Sequence, residues 1–337
     1  MKTAIATVVE GKDLTREEAS RVAELILSGE ATEAEIAGLL TALRMKGETV
    51  DEILGFASVL RSKANTIQPQ CENYVDLVGT GGDCTYSFNI STTSAFVAAG
   101  AGLPVAKHGN RSISSKSGAA DVLEALGVNI SADPAVVQKC VEEAGVGFMM
   151  APNFNPCMKY VGPVRKQLGI RTMFNILGPL SNPSRAKKMV VGVYDPKMVE
   201  TIAKVMAQLG VARGFVVSGD NHIDEFNLAG TTTVAEITDG AVRVFELQPE
   251  DVGLTRCTID ELRGGEGTEN ARITRSILDG SQRGAKRDVV LLNAGATLYI
   301  GGLADSIADG IRLAADSIDS GKAAQVLGQM ISMSQGA

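Results

Sequence analysis

The chain has 337 residues, 45% of them hydrophobic, enough to bury a large core and to divide into two domains. With 32 basic against 39 acidic side chains the formal charge is -7, so no global attraction to nucleic acid or to an anionic membrane is expected, and any phosphate site must be local. The five cysteines, Cys71, Cys84, Cys140, Cys157 and Cys257, are odd in number and lack a C-x-x-C spacing, which argues against a disulfide framework or zinc knuckle and fits a reducing cytoplasm. Only His108 and His222 are histidines, so a histidine-rich metal site is excluded. The N-terminus is too polar after Val9 for a signal peptide, and no apolar run reaches the roughly 18 residues of a membrane span.

The first elements are helical. Thr15 to Glu18, Thr32 to Glu35 and Thr49 to Glu52 each read T-x-x-E ahead of an apolar-periodic stretch, and three such capping boxes predict three short helices. Gly29 and Gly47 fall where the first two should stop. Their apolar faces, Val22, Leu25 and Ile26, then Ile36, Leu39 and Leu40, exceed what three helices bury among themselves. That surplus suits either an interface or docking onto the rest of the chain.

From Tyr74 short apolar runs alternate with helical ones: YVDLVGT, TTSAFVAAGAG, PVAKHG, SGAADVLEALG, ADPAVVQKCVEEAG and VGFMMA. The alternation resumes with KKMVVGVYD, PKMVETIAKVMAQLG and RGFVVSGD, and again with KRDVVLLNAGA before two terminal helices. Such a pattern predicts a mostly parallel sheet flanked by helices. TTVAEITDGAVRVFEL reads as a hairpin turning at Asp239-Gly240. The expected fold is therefore α/β, with a small helical domain over residues 1–70 and a larger domain over 71–337. A segment over 154–170, containing Arg165, is expected to return to the helical domain and border a cleft.

Three loops at expected strand ends carry the chemistry. In DLVGTGGDCTYSFNIST, Gly79, Gly81 and Gly82 let backbone amides approach an anion, while Asp83, Asn89, Ser91 and Thr92 add polar groups before a helix starting near Ser91 or Thr92. The spacing matches neither G-x-G-x-x-G nor a P-loop. In PVAKHGNRSISSKSG, Lys107 suits a phosphate, and the Ser114 to Ser117 cluster, with Ser115, places hydroxyls at a helix N-terminus. His108 is read first as a neutral ring anchoring its loop, and Arg111 and Lys116 have solvated charge as their bland alternative. In GDNHIDEFNLAG, the adjacent Asp224 and Glu225, with Asp220 close by, suit magnesium completed by phosphate oxygens and water.

In combination these motifs resemble the anthranilate phosphoribosyltransferase family, which carries GTGGD, KHGNR and a D-E pair in this order, here at residues 79–83, 107–111 and 224–225. N-I-S-T at 89–92, PVRKQLGIRT around Arg165 and FNILGPLSNP at 174–183 extend the resemblance over nearly the whole chain. It implies a helical domain joined to an α/β domain of nucleoside phosphorylase and phosphoribosyltransferase type, and a cytoplasmic homodimer made through helical domains. It implies phosphoribosyl pyrophosphate bound by Gly79, Gly81, Gly82, Asp83, Asn89, Ser91, Thr92, Lys107, Ser115 and Ser117, with Lys107 acting electrostatically. Anthranilate would be met by Gly79, His108, Asn110, Asn155 and Arg165, and Mg2+ by Ser91, Asp224 and Glu225. No nucleic-acid or membrane partner is implied. Two departures stand out: Ala119 replaces a frequent serine, and Asn155-Pro156 and Tyr160 stand where relatives often carry histidines. A shifted aromatic acceptor, a pyrimidine nucleoside phosphorylase and a non-catalytic nucleic-acid-binding paralogue are the alternatives. The second is disfavoured by Gly109 in place of a K-H-S serine, and the third by the absence of a basic patch.

Overall fold

In the computed structural model, which describes residues 1–82, 85–112 and 116–336, the chain opens with four helices rather than three: α1 (Lys2–Val9), α2 (Arg16–Leu27), α3 (Glu33–Lys46) and α4 (Val50–Ser62). The additional helix α1 has no side-chain cap, so it carried no T-x-x-E signal. In the other three, Thr15, Thr32 and Thr49 each accept the amide of the residue three positions on, and their own amides donate to Glu18, Glu35 and Glu52. Glu52 is 0% exposed and also accepts from the Leu14 amide at 3.0 Å and from Lys46 Nζ at 3.0 Å.

The remaining elements are β1 (Asp76–Gly79), α5 (Ile90–Gly100), β2 (Val105–Gly109), α6 (Ala119–Leu126), α7 (Pro134–Lys139), β3 (Val146–Met150), α8 (Ala151–Phe154), α9 (Gly162–Leu168), α10 (Phe174–Leu180), β4 (Lys188–Gly192), α11 (Val199–Gln208), β5 (Arg213–Gly219), β6 (Thr232–Thr238), β7 (Ala241–Leu247), α12 (Gly267–Leu278), α13 (Ala285–Gly301), α14 (Ile307–Asp319) and α15 (Lys322–Ser334). Strands run β1-β4-β5-β6-β7 in one sheet, with β1, β4 and β5 parallel and β6 and β7 added antiparallel. The hairpin turns where expected, with Asp239 and Gly240 both at positive φ, 48° and 85°. β2 and β3 form a separate parallel pair, joined to the start of β1 by a bridge from Val75 to Val105.

KRDVVLLNAGA, expected as a strand, lies instead within α13. Val289 through Leu298 are buried on every side of that helix, and a helix buried all round has no periodicity to separate it from a core strand.

The large sheet separates two cores by its period of two. Leu77, Val190, Val217 and Val234 face a core built with α5, α6 and α12 to α15, whereas Val78, Val191, Val216 and Ala235 face α11 and the N-terminal helices. The latter contact is fixed by α4, where Phe56 meets Phe174 of α10 edge to face at 6.0 Å and Arg61 donates to the carbonyls of Leu180 and Leu209, at 2.7 and 2.9 Å. The segment before α10 also touches the N-terminal helices. Tyr160 lies where a Cβ on Gly29 would come within 2.6 Å of its ring, and Gln167 donates to Glu33 at 3.2 Å. Among the described residues no helix is long and apolar enough to cross a membrane.

Removing the buried Glu52 carboxylate leaves Lys46 with Asp13 and the Gly47 carbonyl but strands two backbone donors, the Leu14 and Thr49 amides. Glu52→Ala is expected to destabilise the fold by about 2 to 4 kcal/mol, the cost of two unsatisfied buried donors, against about 1 kcal/mol for the cap substitution Thr15→Ala, as measured by chemical denaturation.

Candidate active site

The carboxyl ends of β1 and β4 are closed by glycines that sit opposite one another in register, Gly79 and Gly192. The loop leaving β5 lies directly across both. A Cβ on Gly79 would stand 2.2 Å from Asp224 Oδ2, and one on Gly192 would stand 1.7 Å from the Asp224 carbonyl oxygen. Gly81 and Gly82 follow at φ 67° and 78°, a backbone that glycine adopts without strain, and the Gly81 amide donates to Asp224 Oδ2 at 2.7 Å. Helix α5 begins at Ile90 with Asn89 as its N-cap, and the Ser91 amide in its first turn donates to Glu225 Oε1 at 3.1 Å. Ahead of the acidic pair, Asn221 and His222 both hold positive φ, 65° and 66°, a strained turn that presents it.

Lys107 connects the second loop to the first. It is 2% exposed, its Nζ donates to the Leu77 carbonyl, and it lies 3.3 Å from Ser91 Oγ. Burial holds its pKa below the usual lysine value, against the pull of Asp76, Glu225 and Asp224. Burial likewise raises the pKa of Glu225, helped by the neighbouring Asp224 charge. Two hard carboxylates and a serine hydroxyl meet at one strand end, where like-charge repulsion already favours binding a positive species. That donor chemistry fits magnesium completed by substrate phosphate and water. No third His, Cys, Asp or Glu joins the pair as a metal cluster among the described residues.

Asn89 lies beside this cluster, held by Ser117 and Asn270: Ser117 Oγ donates to Asn89 Oδ1 at 3.1 Å, and Asn270 Nδ2 donates to the same atom at 2.9 Å. Thr92 is buried, and its Oγ1 has no protein partner. Asp83 and Ser115, with Ser114, lie outside the described residues. Arg111 turns away to pair with Asp121 and Glu124, both at 2.9 Å, and Lys116 stands 5.9 Å over the Tyr86 ring. Asp220 closes its own loop by accepting the Thr231 amide at 2.8 Å.

The residues linked with the acceptor are more dispersed. His108 is buried, with Nδ1 3.2 Å from the Gly178 carbonyl oxygen and Nε2 3.2 Å from Asn155 Nδ2. A carbonyl accepts only, so Nδ1 carries the proton and the neutral ring accepts from the Asn155 amide at Nε2. Burial pushes the His108 pKa down to about 4. Asn155 is 2% exposed, its amide reaching the ring, and its Oδ1 has no protein partner. Asn110 is exposed, its side chain accepting the Arg111 amide at 2.8 Å. Arg165, on α9, is half-buried, makes no ion pair among the described residues, and has its pKa lowered by burial.

Three residues of the site escaped the sequence reading. Asp76 is fully buried, accepting from the His108 amide at 3.2 Å and from Asn182 Nδ2 at 2.6 Å, and burial raises its pKa to about 6. An aspartate inside the apolar run YVDLV was the available signal for it. Asn182 also donates to the Ala106 carbonyl at 3.0 Å, tying β1 to β2, and Asn270 had no signal at all.

Two family profiles match the chain, the glycosyl transferase family a/b domain over residues 71–324 and the glycosyl transferase family helical bundle domain over 2–64. An anthranilate phosphoribosyltransferase of Acetivibrio thermocellus is 50% identical over 331 residues, 98% of this chain and 96% of that protein. Among solved structures, that of the anthranilate phosphoribosyltransferase of Thermus thermophilus is 41% identical with a TM-score of 0.93, covering 98% of this chain and 99% of that one. The Saccharomyces cerevisiae enzyme in complex with PRPP and Mg is 27% identical with a TM-score of 0.90, covering 100% and 99%. The fold is thus that of a glycosyl transferase, and the chain belongs to the anthranilate phosphoribosyltransferase family.

The folded-state pKa of His108, about 4, lies below the unfolded value of 6.5, so the stability it lends is fully present above pH 6.5 and is lost as pH falls towards 4. Urea unfolding at about pH 7 and about pH 4.5 should show wild type losing roughly 2 to 3 kcal/mol more between the two than His108→Gln. Equal losses would mean that the ring is not held neutral.

Proposed function

We infer that the chain transfers the phosphoribosyl group of phosphoribosyl pyrophosphate to anthranilate, giving N-(5-phosphoribosyl)anthranilate and pyrophosphate for tryptophan biosynthesis. The observation that carries this reading is the convergence of three loops on one strand end: the Gly81 amide on Asp224, the Ser91 amide on Glu225, and Lys107 3.3 Å from the Ser91 hydroxyl. The family membership supports it.

In the reaction the bond from C1′ to the pyrophosphate oxygen breaks and a bond from C1′ to the aniline nitrogen forms, the nitrogen losing a proton. Positive charge grows on the ribose and negative charge on the leaving group. We assign the phosphoribosyl substrate to Gly79, Gly81, Gly82, Asp83, Asn89, Ser91, Thr92, Lys107, Ser115 and Ser117. Lys107 opposes the growing negative charge without giving up a proton. Ser91, Asp224 and Glu225 would hold Mg2+, which supplies charge neutralisation for the departing pyrophosphate when bound. Gly79, His108, Asn110, Asn155 and Arg165 are assigned to the acceptor, with Arg165 on its carboxylate. The unpaired, half-buried guanidinium of Arg165 supports that role. An aniline is largely unprotonated at neutral pH, so a strong base is not required.

We assign residues 1–70 and 154–170 to one helical unit and 71–337 to the α/β unit, on the contacts of Tyr160 and Gln167 with the N-terminal helices. A groove of about 590 Å³ between α1 and α3, lined by Val8, Ala37, Thr41 and Ala42, is edged by Val9 and Met45, which are 70% and 83% exposed. We propose that a second copy of the chain covers it, making a homodimer. The four described cysteines are free, which suits a reducing cytoplasm.

Pyrophosphate release should require anthranilate and magnesium, and should not occur with uracil, with thymine or without an acceptor. Arg165→Ala should raise the KM for anthranilate roughly tenfold or more, the cost of a charge-assisted pair, while the KM for phosphoribosyl pyrophosphate stays within about threefold. Equal damage to both would remove Arg165 from the acceptor site. For the dimer, sedimentation should find wild type at twice the monomer mass and Met45→Glu as monomer; a monomeric wild type sinks the interface.

A further inference from the structure

The stretch PVRKQLGIRT contains a second arginine that the proposed chemistry leaves without a part. Arg171 stands in the turn between α9 and α10 and is exposed to solvent. Its Nη1 donates to the Gly82 carbonyl at 3.0 Å, and its guanidinium carbon lies 4.3 Å from the centroid of the Tyr194 ring. An exposed arginine usually samples many rotamers and holds little. Here the ring of Tyr194, itself buried, fixes the plane of the guanidinium and so aims one donor at one carbonyl.

The carbonyl it holds belongs to a glycine at positive φ, in the loop that follows β1. Glycine leaves its own backbone free to rotate, and a donor on its carbonyl removes that freedom where the loop must present a defined face. The seat is also tied to the third loop. Tyr194 follows β4, and its carbonyl oxygen lies 3.1 Å from His222 Nδ1, in the strained turn two residues ahead of Asp224. One guanidinium thus spans the glycine-rich loop, the end of β4 and, through Tyr194, the approach to the acidic pair.

We propose that Arg171 is a positioning residue for the phosphoribosyl substrate, holding the glycine-rich loop in its receiving shape with Tyr194 as its seat. The inference rests on the reading of that loop as the phosphoribosyl site. It differs from the role given to Arg165: Arg171 acts through Gly82 on the donor substrate and leaves the acceptor alone.

Steady-state kinetics and hydrogen exchange of the peptide over residues 77–82 test it together. Arg171→Ala should raise the KM for phosphoribosyl pyrophosphate roughly tenfold, leave kcat and the KM for anthranilate within about twofold, and speed exchange in that peptide. Tyr194→Phe keeps the ring and should match wild type. Tyr194→Leu should reproduce part of the Arg171→Ala effect and add little to it in the double variant. Unchanged loop exchange, equal rises in both KM values, or full additivity of the two substitutions would overturn the proposal. A wild type that fails to release pyrophosphate with anthranilate would sink the functional reading instead, and loop exchange alone would then decide whether Arg171 holds Gly82.

Discussion

The arrangement depends on two missing side chains. Gly79 and Gly192 end adjacent parallel strands in matched register, and the Asp224 backbone and carboxylate occupy the volume that two Cβ atoms would fill. An alanine would meet oxygen at 2.2 Å at Gly79 and at 1.7 Å at Gly192, both far inside a normal contact, and at Gly192 the obstructing atom is backbone, which cannot swing aside. Only with that volume empty can the loop from β5 reach across β4 to β1. The crossing then puts Asp224 on the Gly81 amide and Glu225 on the first turn of α5, so loop order, helix orientation and acidic pair follow from one close approach.

Charge explains why this crossing is poised and not merely packed. Asp76, Asp224 and Glu225 surround a single buried ammonium, Lys107, and burial pushes each group whose pKa shift is resolved, Asp76, Glu225 and Lys107, towards its neutral form. Lys107 cannot balance three carboxylates, and it is already committed to the Leu77 carbonyl. On the proposed reading a divalent cation would answer the surplus at the acidic pair, while Asp76, satisfied by the His108 amide and by Asn182, serves as structure.

What the sequence revealed was what local chemistry decides. Capping boxes at Thr15, Thr32 and Thr49, the Asp239-Gly240 turn and the polar loops at strand ends all act within a few residues of themselves, so they can be read without the fold. Helix α1 and the buried helix α13 were missed for opposite reasons: the first lacks a cap, and the second is apolar on every face. The glycine-rich run after β1 was legible as a place of close backbone approach, but that Gly79 and Gly192 are register partners beneath Asp224 depends on strands far apart along the chain, and no spacing rule reports it. Asn155 and Arg171 are of the same kind. Each is defined by a partner, His108 or Gly82, that pattern alone does not bring near.

His108 shows how such distant partners limit the chemistry. The Gly178 carbonyl accepts the Nδ1–H hydrogen bond, which leaves Nε2 as the acceptor, and that lone pair is met by the Asn155 amide. Both nitrogens are occupied, and a pKa near 4 makes the ring a weak base besides. The His108 ring is therefore spent on holding β2, α10 and the segment after α8 together. On the proposed reading the rate would come from fixed charge, Lys107 and the cation that Asp224 and Glu225 would hold at the leaving group, acting on a neutral aromatic amine. At position 155 the fold asks for a neutral donor to His108, and an amide supplies it without titrating.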